Sequence, residues 1–249
     1  MKEILALIEK KKEDFARLPF FEYLRDSSID PRQRLAFAHC VAPFVMAFGE
    51  LNKDVFRQEP TTDPIQKIIN KHTYEDDHHW VWYLEDIKTL GIDRTFDFTD
   101  TLNFLWGEET KAGRKLSNRL YGYALQAAPI QKLVIIEVIE ATGNILFSLS
   151  SQIIVRELRP ITKKNYLYFG EFHLAVETGR ITGVQQEEQL ILENIKLTHE
   201  DLKEACDLVE KVFELFTEFT HELLAYAKAQ NISQISTETE KSDRFLQTV

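Results

Sequence analysis

The chain has 249 residues, of which 44% are apolar and 28% charged, with a formal net charge of -10 at pH 7. That much apolar material suffices for one sizeable core, so a single domain is expected. The acidic balance leaves no cluster of Lys and Arg for phosphate contacts, which points away from a nucleic-acid partner.

The opening stretch, MKEILALIEKKKEDF, sets apolar residues at helical spacing between charges. It is neither the core of a signal peptide nor a membrane span, and no later segment holds about 18 uninterrupted apolar residues. A cytoplasmic protein without membrane contact is expected. Cys40 and Cys206 lie far apart and form no C-x-x-C pair. Each reads as a small buried residue rather than part of a disulfide framework or zinc ribbon.

Residues 2–17 form an amphipathic helix with Ile4, Leu7, Ile8 and Phe15 on one side. Pro19 stops it, and residues 20–24 read as a short aromatic link. Asp30-Pro31 marks a second helix start. That helix runs to about Arg57 with a kink at Pro43. On it His39 reads as a core histidine satisfied by a backbone carbonyl, and Glu50, on the same face, as a further ligand candidate.

Asp63-Pro64 starts a third helix that runs to a stop at Gly91. In its middle lies His72-Thr-Tyr-Glu-Asp-Asp-His-His-Trp80, with three histidines and three carboxylates in eight residues. At roughly 100° per residue, His72, Glu75 or Asp76, and His79 share a face, while Asp77 and His78 point elsewhere. Neutral imidazole and carboxylate are donors for iron, manganese or zinc, and this spacing lets two or three converge. A solvated polar face is the competing account. Trp80, Trp82, Tyr83 and Leu84 follow directly and argue against a helix exposed all round.

A fourth helical region spans Leu102 to about Ala127, with Gly107 and Gly113 as breaks. Its Arg114, Lys115 and Arg119 could receive an anionic substrate, although a charged outer face is the commoner meaning of such a run. Pro129 starts a fifth, almost wholly apolar helix to about Leu158. Glu137 and Glu140 inside it need a cation, a hydrogen-bond partner or a proton, and one of them is expected to face the interior. Pairing with Arg or Lys is the competing account.

After Arg159-Pro160 a sixth helix is expected to carry Tyr166, Phe169, Phe172 and then His173-x3-Glu177-x2-Arg180. Those last three fall within roughly 60° of one another on a helix face. Thr198 caps a last helix to about Ala229, with His199 and His221 on its surface. The domain thus spans 1–230. Residues 231–249 are polar and aperiodic, a disordered tail or an arm docking on a partner.

Three helices therefore offer candidate metal ligands: His72, Glu75, Asp76 and His79; Glu137 or Glu140; and His173 with Glu177. Their order and spacing resemble the heme-oxygenase-like superfamily with its TenA and PqqC proteins, and above all its iron-containing redox enzymes, the CADD-like and UndA-like oxidases. The resemblance covers residues 15–228. It implies an all-α, single-domain bundle of about seven helices holding one or two iron ions. The chemistry implied is dioxygen activation and oxidation of a small organic substrate. Asp76 or Glu75 with His79, then Glu140, then His173 and Glu177 match the family's ligand positions.

Two positions depart from that pattern. Arg180 stands where the family has its last histidine, and His72 about where CADD-like proteins have their first carboxylate. A guanidinium only donates, so Arg180 cannot ligate a metal and would instead pair with Glu177 or hold a substrate carboxylate. The site implied holds one ion rather than two, or none. Rival readings are a metal-free TenA/PqqC-like pocket protein and a helical adaptor with a degraded metal site. A two-fold homodimer is expected.

Overall fold

A computed structural model describes residues 1–93, 97–177, 191–192 and 194–230. Among them there is no strand. The described residues form ten α-helices of seven or more residues: α1 (Lys2–Phe15), α2 (Pro19–Arg25), α3 (Ala42–Leu51), α4 (Pro64–Asp76), α5 (His79–Leu90), α6 (Phe98–Trp106), α7 (Lys111–Ala124), α8 (Pro129–Ile153), α9 (Glu171–Glu177) and α10 (His199–Ala229). The all-α class is as expected. The helix number exceeds the seven anticipated because several long segments are broken by tertiary contacts.

The core forms around α8. Val134, Ile135 and Val138 are completely buried, and Pro129 occupies its first turn, where a missing N–H leaves no bond unmade. Helices α1, α4, α9 and α10 pack on it. Through a π-turn at Ile154–Leu158 it continues to Thr162, and this is the one described helix long and apolar enough to cross a membrane. More than half of that apolar window is buried inside the bundle. Helix α10 starts with a capping box, in which Thr198 Oγ1 accepts from Asp201 N and the Asp201 carboxylate accepts from Thr198 N. It buries Phe213, Phe216, Phe219 and Leu223.

The segments expected to be continuous break for identifiable reasons. Residues 20–24 belong to α2 rather than to a link, because Phe20, Phe21 and Leu24 fill the core. The second expected helix consists of a turn at Pro31–Arg34, a 3-10 turn at Ala36–His39, α3 and a π-turn at Asn52–Phe56. Its two halves are bent by 53°. Pro43 starts α3 instead of kinking a helix. His39 is satisfied as expected, with Nε2 2.6 Å from Ile92 O, whereas Glu50 is exposed and offers no ligand.

The third expected helix divides at Asp77–His78. Arg57 sits over the end of α4, donating from Nε to Thr73 Oγ1 at 3.0 Å and from Nη2 to Thr73 O at 2.8 Å and Asp77 Oδ2 at 2.6 Å. The guanidinium thus adds a charged donor at the helix C-terminus to the Thr73 carbonyl, which also accepts from Asp77 N at 3.1 Å. Gly49 lets the break pack closely: a Cβ there would stand 3.1 Å from Trp80 Cδ1 and 3.2 Å from Asp77 O. Asp77, expected to face outward, is turned into this contact, while His78 is exposed as expected.

Gly107 ends α6, but Gly113 is no break. It lies within α7, where an added Cβ would meet Phe219 Cε2 at 2.9 Å. Arg114 donates to the carbonyls of Leu105, Trp106 and Gly107 and so closes α6 rather than receiving an anion. Lys115 pairs with Glu218. The sixth expected helix is a short turn at Arg159–Thr162 followed by α9, because residues 163–170 form a loop that Asp86 holds. Cys40 is buried and Cys206 half-buried, both as free thiols. The polar stretch 231–249 lies outside the described residues.

Hydrogen bonds to a charged group contribute roughly 1.5–3 kcal/mol, so Arg57→Ala is expected to lower the unfolding free energy by about 2 kcal/mol in urea titrations. A loss below about 0.5 kcal/mol, the size of an ordinary surface substitution, would mean that Arg57 does not set the break.

Candidate functional site

The candidate ligands come from elements fixed by the contacts above. Helix α4 carries His72 and Asp76, α5 begins with His79, α8 carries Glu140, and α9 carries His173. Asp76, His79, Glu140 and His173 line one cavity of about 90 Å³. By the same measure a single water needs roughly 10–15 Å³, so there is room for a slender organic group. Its other walls are mostly apolar, including Phe20, Phe21, Phe44, Trp80, Phe147 and Phe216. Phe15 lines both the cavity and an outer groove between α1 and α10, where Lys11, Asp14, Glu210 and Glu214 stand.

At the polar end the two imidazoles meet directly, with His79 Nδ1 3.0 Å from His173 Nε2. The other nitrogen of His173, Nδ1, lies 2.9 Å from Tyr168 O. A carbonyl only accepts, so Nδ1 of His173 carries a proton, and in the neutral ring Nε2 is left to accept from His79 Nδ1. Trp82 stacks on His79 at 4.4 Å and 24°, and the Phe147 ring lies 4.0 Å from that of His173. Burial, together with His173 and His78 nearby, drives His79 down to about 2, so it is neutral at physiological pH. Asp76 Oδ1 stands 3.6 Å from His79 Nδ1.

His72 has the opposite character. Burial disfavours its charge, but the Glu140 carboxylate, hydrogen-bonded at 2.8 Å, with Asp76 and Glu137 near, pushes it up to about 10. His72 is therefore an imidazolium at neutral pH, without a lone pair for a metal. The glutamate inside the apolar helix is answered by a histidine from α4, not by the Arg or Lys that the sequence also allowed.

Among the described residues no group of three or more His, Cys, Asp or Glu side chains is arranged to hold a metal ion. The expected set is divided. His79, His173 and Asp76 gather at one end, Glu140 is closed against His72, and Glu75 is half-buried on α4 away from the cavity lining. Glu177 ends α9, but its side chain, Arg180 and any contact between them lie outside the described residues.

Sequence reasoning passed over Asp86 and Tyr168. Asp86 falls in the buried stripe Tyr83, Asp86, Ile87, Leu90 of α5, and an aspartate at that register was the available signal. Both its oxygens accept backbone N–H groups, from Leu167 and Phe169, each at 2.8 Å. Burial pushes its carboxyl up to about 6, against the pull of those N–H groups and of His173.

The His72–Glu140 pair gives a pH signature. A raised histidine pKa contributes stability that is complete below its ordinary value near 6.5 and is lost as pH climbs to about 10. Unfolding free energy is therefore expected to fall between pH 6.5 and 10, and His72→Gln to remove that component while costing roughly 1–3 kcal/mol at pH 7. An identical slope in the variant, measured by urea unfolding across that range, would refute the assignment. Comparison of the chain with known protein families finds no match, and comparison with curated proteins finds none either.

Proposed function

We propose that the chain binds a small, largely apolar organic molecule in this cavity, placing the molecule's polar end at the His79–His173 pair, and works without a resident metal. The observation that carries the reading is the direct 3.0 Å hydrogen bond between those two buried imidazoles at the end of an aromatic-walled cavity. Apolar walls with a few convergent polar groups are the general form of a small-molecule site. The neutral His79, flanked by Asp76 and Glu140, suits an uncharged hydroxyl, carbonyl or amide group.

For two metal ions the residues do not fit, since Glu140 is engaged by a protonated His72. A second reading, one iron ion and an oxidoreductase, is favoured by a specific feature. Two imidazole nitrogens and the Asp76 carboxylate are donor types that suit iron, and the Tyr168 carbonyl orients His173 as ligating histidines are commonly oriented. A ferrous ion held there would supply dioxygen activation. His79 and His173 would be the first of its ligands, and the aromatic walls would keep water from the substrate.

Both readings meet one experiment. Protein purified without chelators is assayed for metal and titrated with 2-naphthol, a neutral apolar probe, by equilibrium dialysis. The expected result is saturable binding, indifferent to chelator, that is lost in Val45→Phe, which fills the cavity, together with far less than one equivalent of iron. Absence of binding would overturn the pocket assignment. Stoichiometric iron with dioxygen uptake would replace the metal-free reading by the oxidoreductase.

A further inference from the structure

Asp86 is 1% exposed, yet it lines neither the cavity nor any surface. Its Oδ1 accepts from Leu167 N and its Oδ2 from Phe169 N. Phe169 N belongs to the same peptide plane as the Tyr168 carbonyl, and in a trans peptide N–H and C=O point in opposite directions. Holding the N–H of that plane on one edge therefore aims the Tyr168 oxygen off the other. On that other side lies His173 Nδ1, at 2.9 Å. The preceding plane is held similarly near the same ring, since the Leu167 carbonyl accepts from His173 N at 3.3 Å.

We infer that Asp86 is a positioning residue of the pocket: by gripping the 167–169 backbone it fixes the Tyr168 carbonyl on His173 Nδ1 and so dictates which imidazole nitrogen His173 turns toward His79. A histidine free to choose its tautomer would present an N–H or a lone pair to His79. With the carbonyl fixed, the proton stays on Nδ1 and Nε2 remains the acceptor. Asp86 touches neither histidine and acts only through the loop. Ser150, whose Oγ lies 2.9 Å from Phe169 O, anchors the next carbonyl but not the plane that faces His173. The inference concerns His173 before any ligand arrives, so it stands with or without iron in the pocket.

The test is the tautomer itself, read from long-range ¹H–¹⁵N spectra of histidine-labelled protein. Wild type is expected to show His173 protonated at Nδ1 and bare at Nε2. In Asp86→Asn the side-chain amide replaces one acceptor with a donor, which releases one of the two N–H groups. The other His173 tautomer should then rise several-fold while the His39 signals and the far-ultraviolet dichroism stay unchanged. In Ser150→Ala the wild-type tautomer should persist. A folded Asp86→Asn protein with the wild-type His173 pattern would overturn the inference, because loss of packing alone does not move a tautomer. Should that variant fail to fold, wild type decides by itself. The Leu167 and Phe169 amides are expected to exchange as slowly as those of the core of α8, and fast exchange there, or a proton on His173 Nε2, overturns it.

Discussion

A helix buried on most of its sides cannot carry an ionised carboxylate without an answering charge, and α8 carries two. Glu140 is answered by His72, and that ion pair draws α4 against α8 at the level of the cavity. Removing one partner of a buried pair leaves the other exposed to the desolvation cost, of order several kcal/mol, so the packing angle of α4 is tied to this contact. The rest follows from it. Once His72 is committed to α8, Asp76 one turn on faces the same cavity, and Arg57 ends the helix one residue later. The chain then re-enters α5 at His79, which meets His173 from the far wall.

The site is polar at one end and aromatic nearly everywhere else, and its electrostatics are arranged as opposites. His72 is charged because three carboxylates surround it, and His79 is neutral because burial and other imidazoles surround it. Two histidines seven residues apart in sequence thus take up different protonation states. Environment decides that, not residue type.

Much of this architecture was legible in the sequence wherever the determinant is local. Asp63-Pro64 and Thr198 start helices where their side chains bond to the next turn, and the apolar run after Pro129 is the central helix. The sequence singled out His72, Asp76, His79, Glu140 and His173, because helical periodicity and burial of carboxylates are local properties, but not that Glu140 closes on His72 while the other three gather at the end of the cavity. The failures are all long-range. The break after Asp76 is caused by Arg57, nineteen residues earlier, and the loop at 163–170 by Asp86, about eighty residues before it. Whether donors close into pairs or converge on one point depends on such distant contacts, so spacing alone could not tell an ion pair from a metal site.

Phe15 has the distinction of belonging to two surfaces, the inner cavity and the groove between α1 and α10. Its ring packs against Phe21 on the inner side at 5.0 Å and Phe213 on the outer side at 5.9 Å. A substitution at this one position therefore alters the lining of the cavity and that of the groove together.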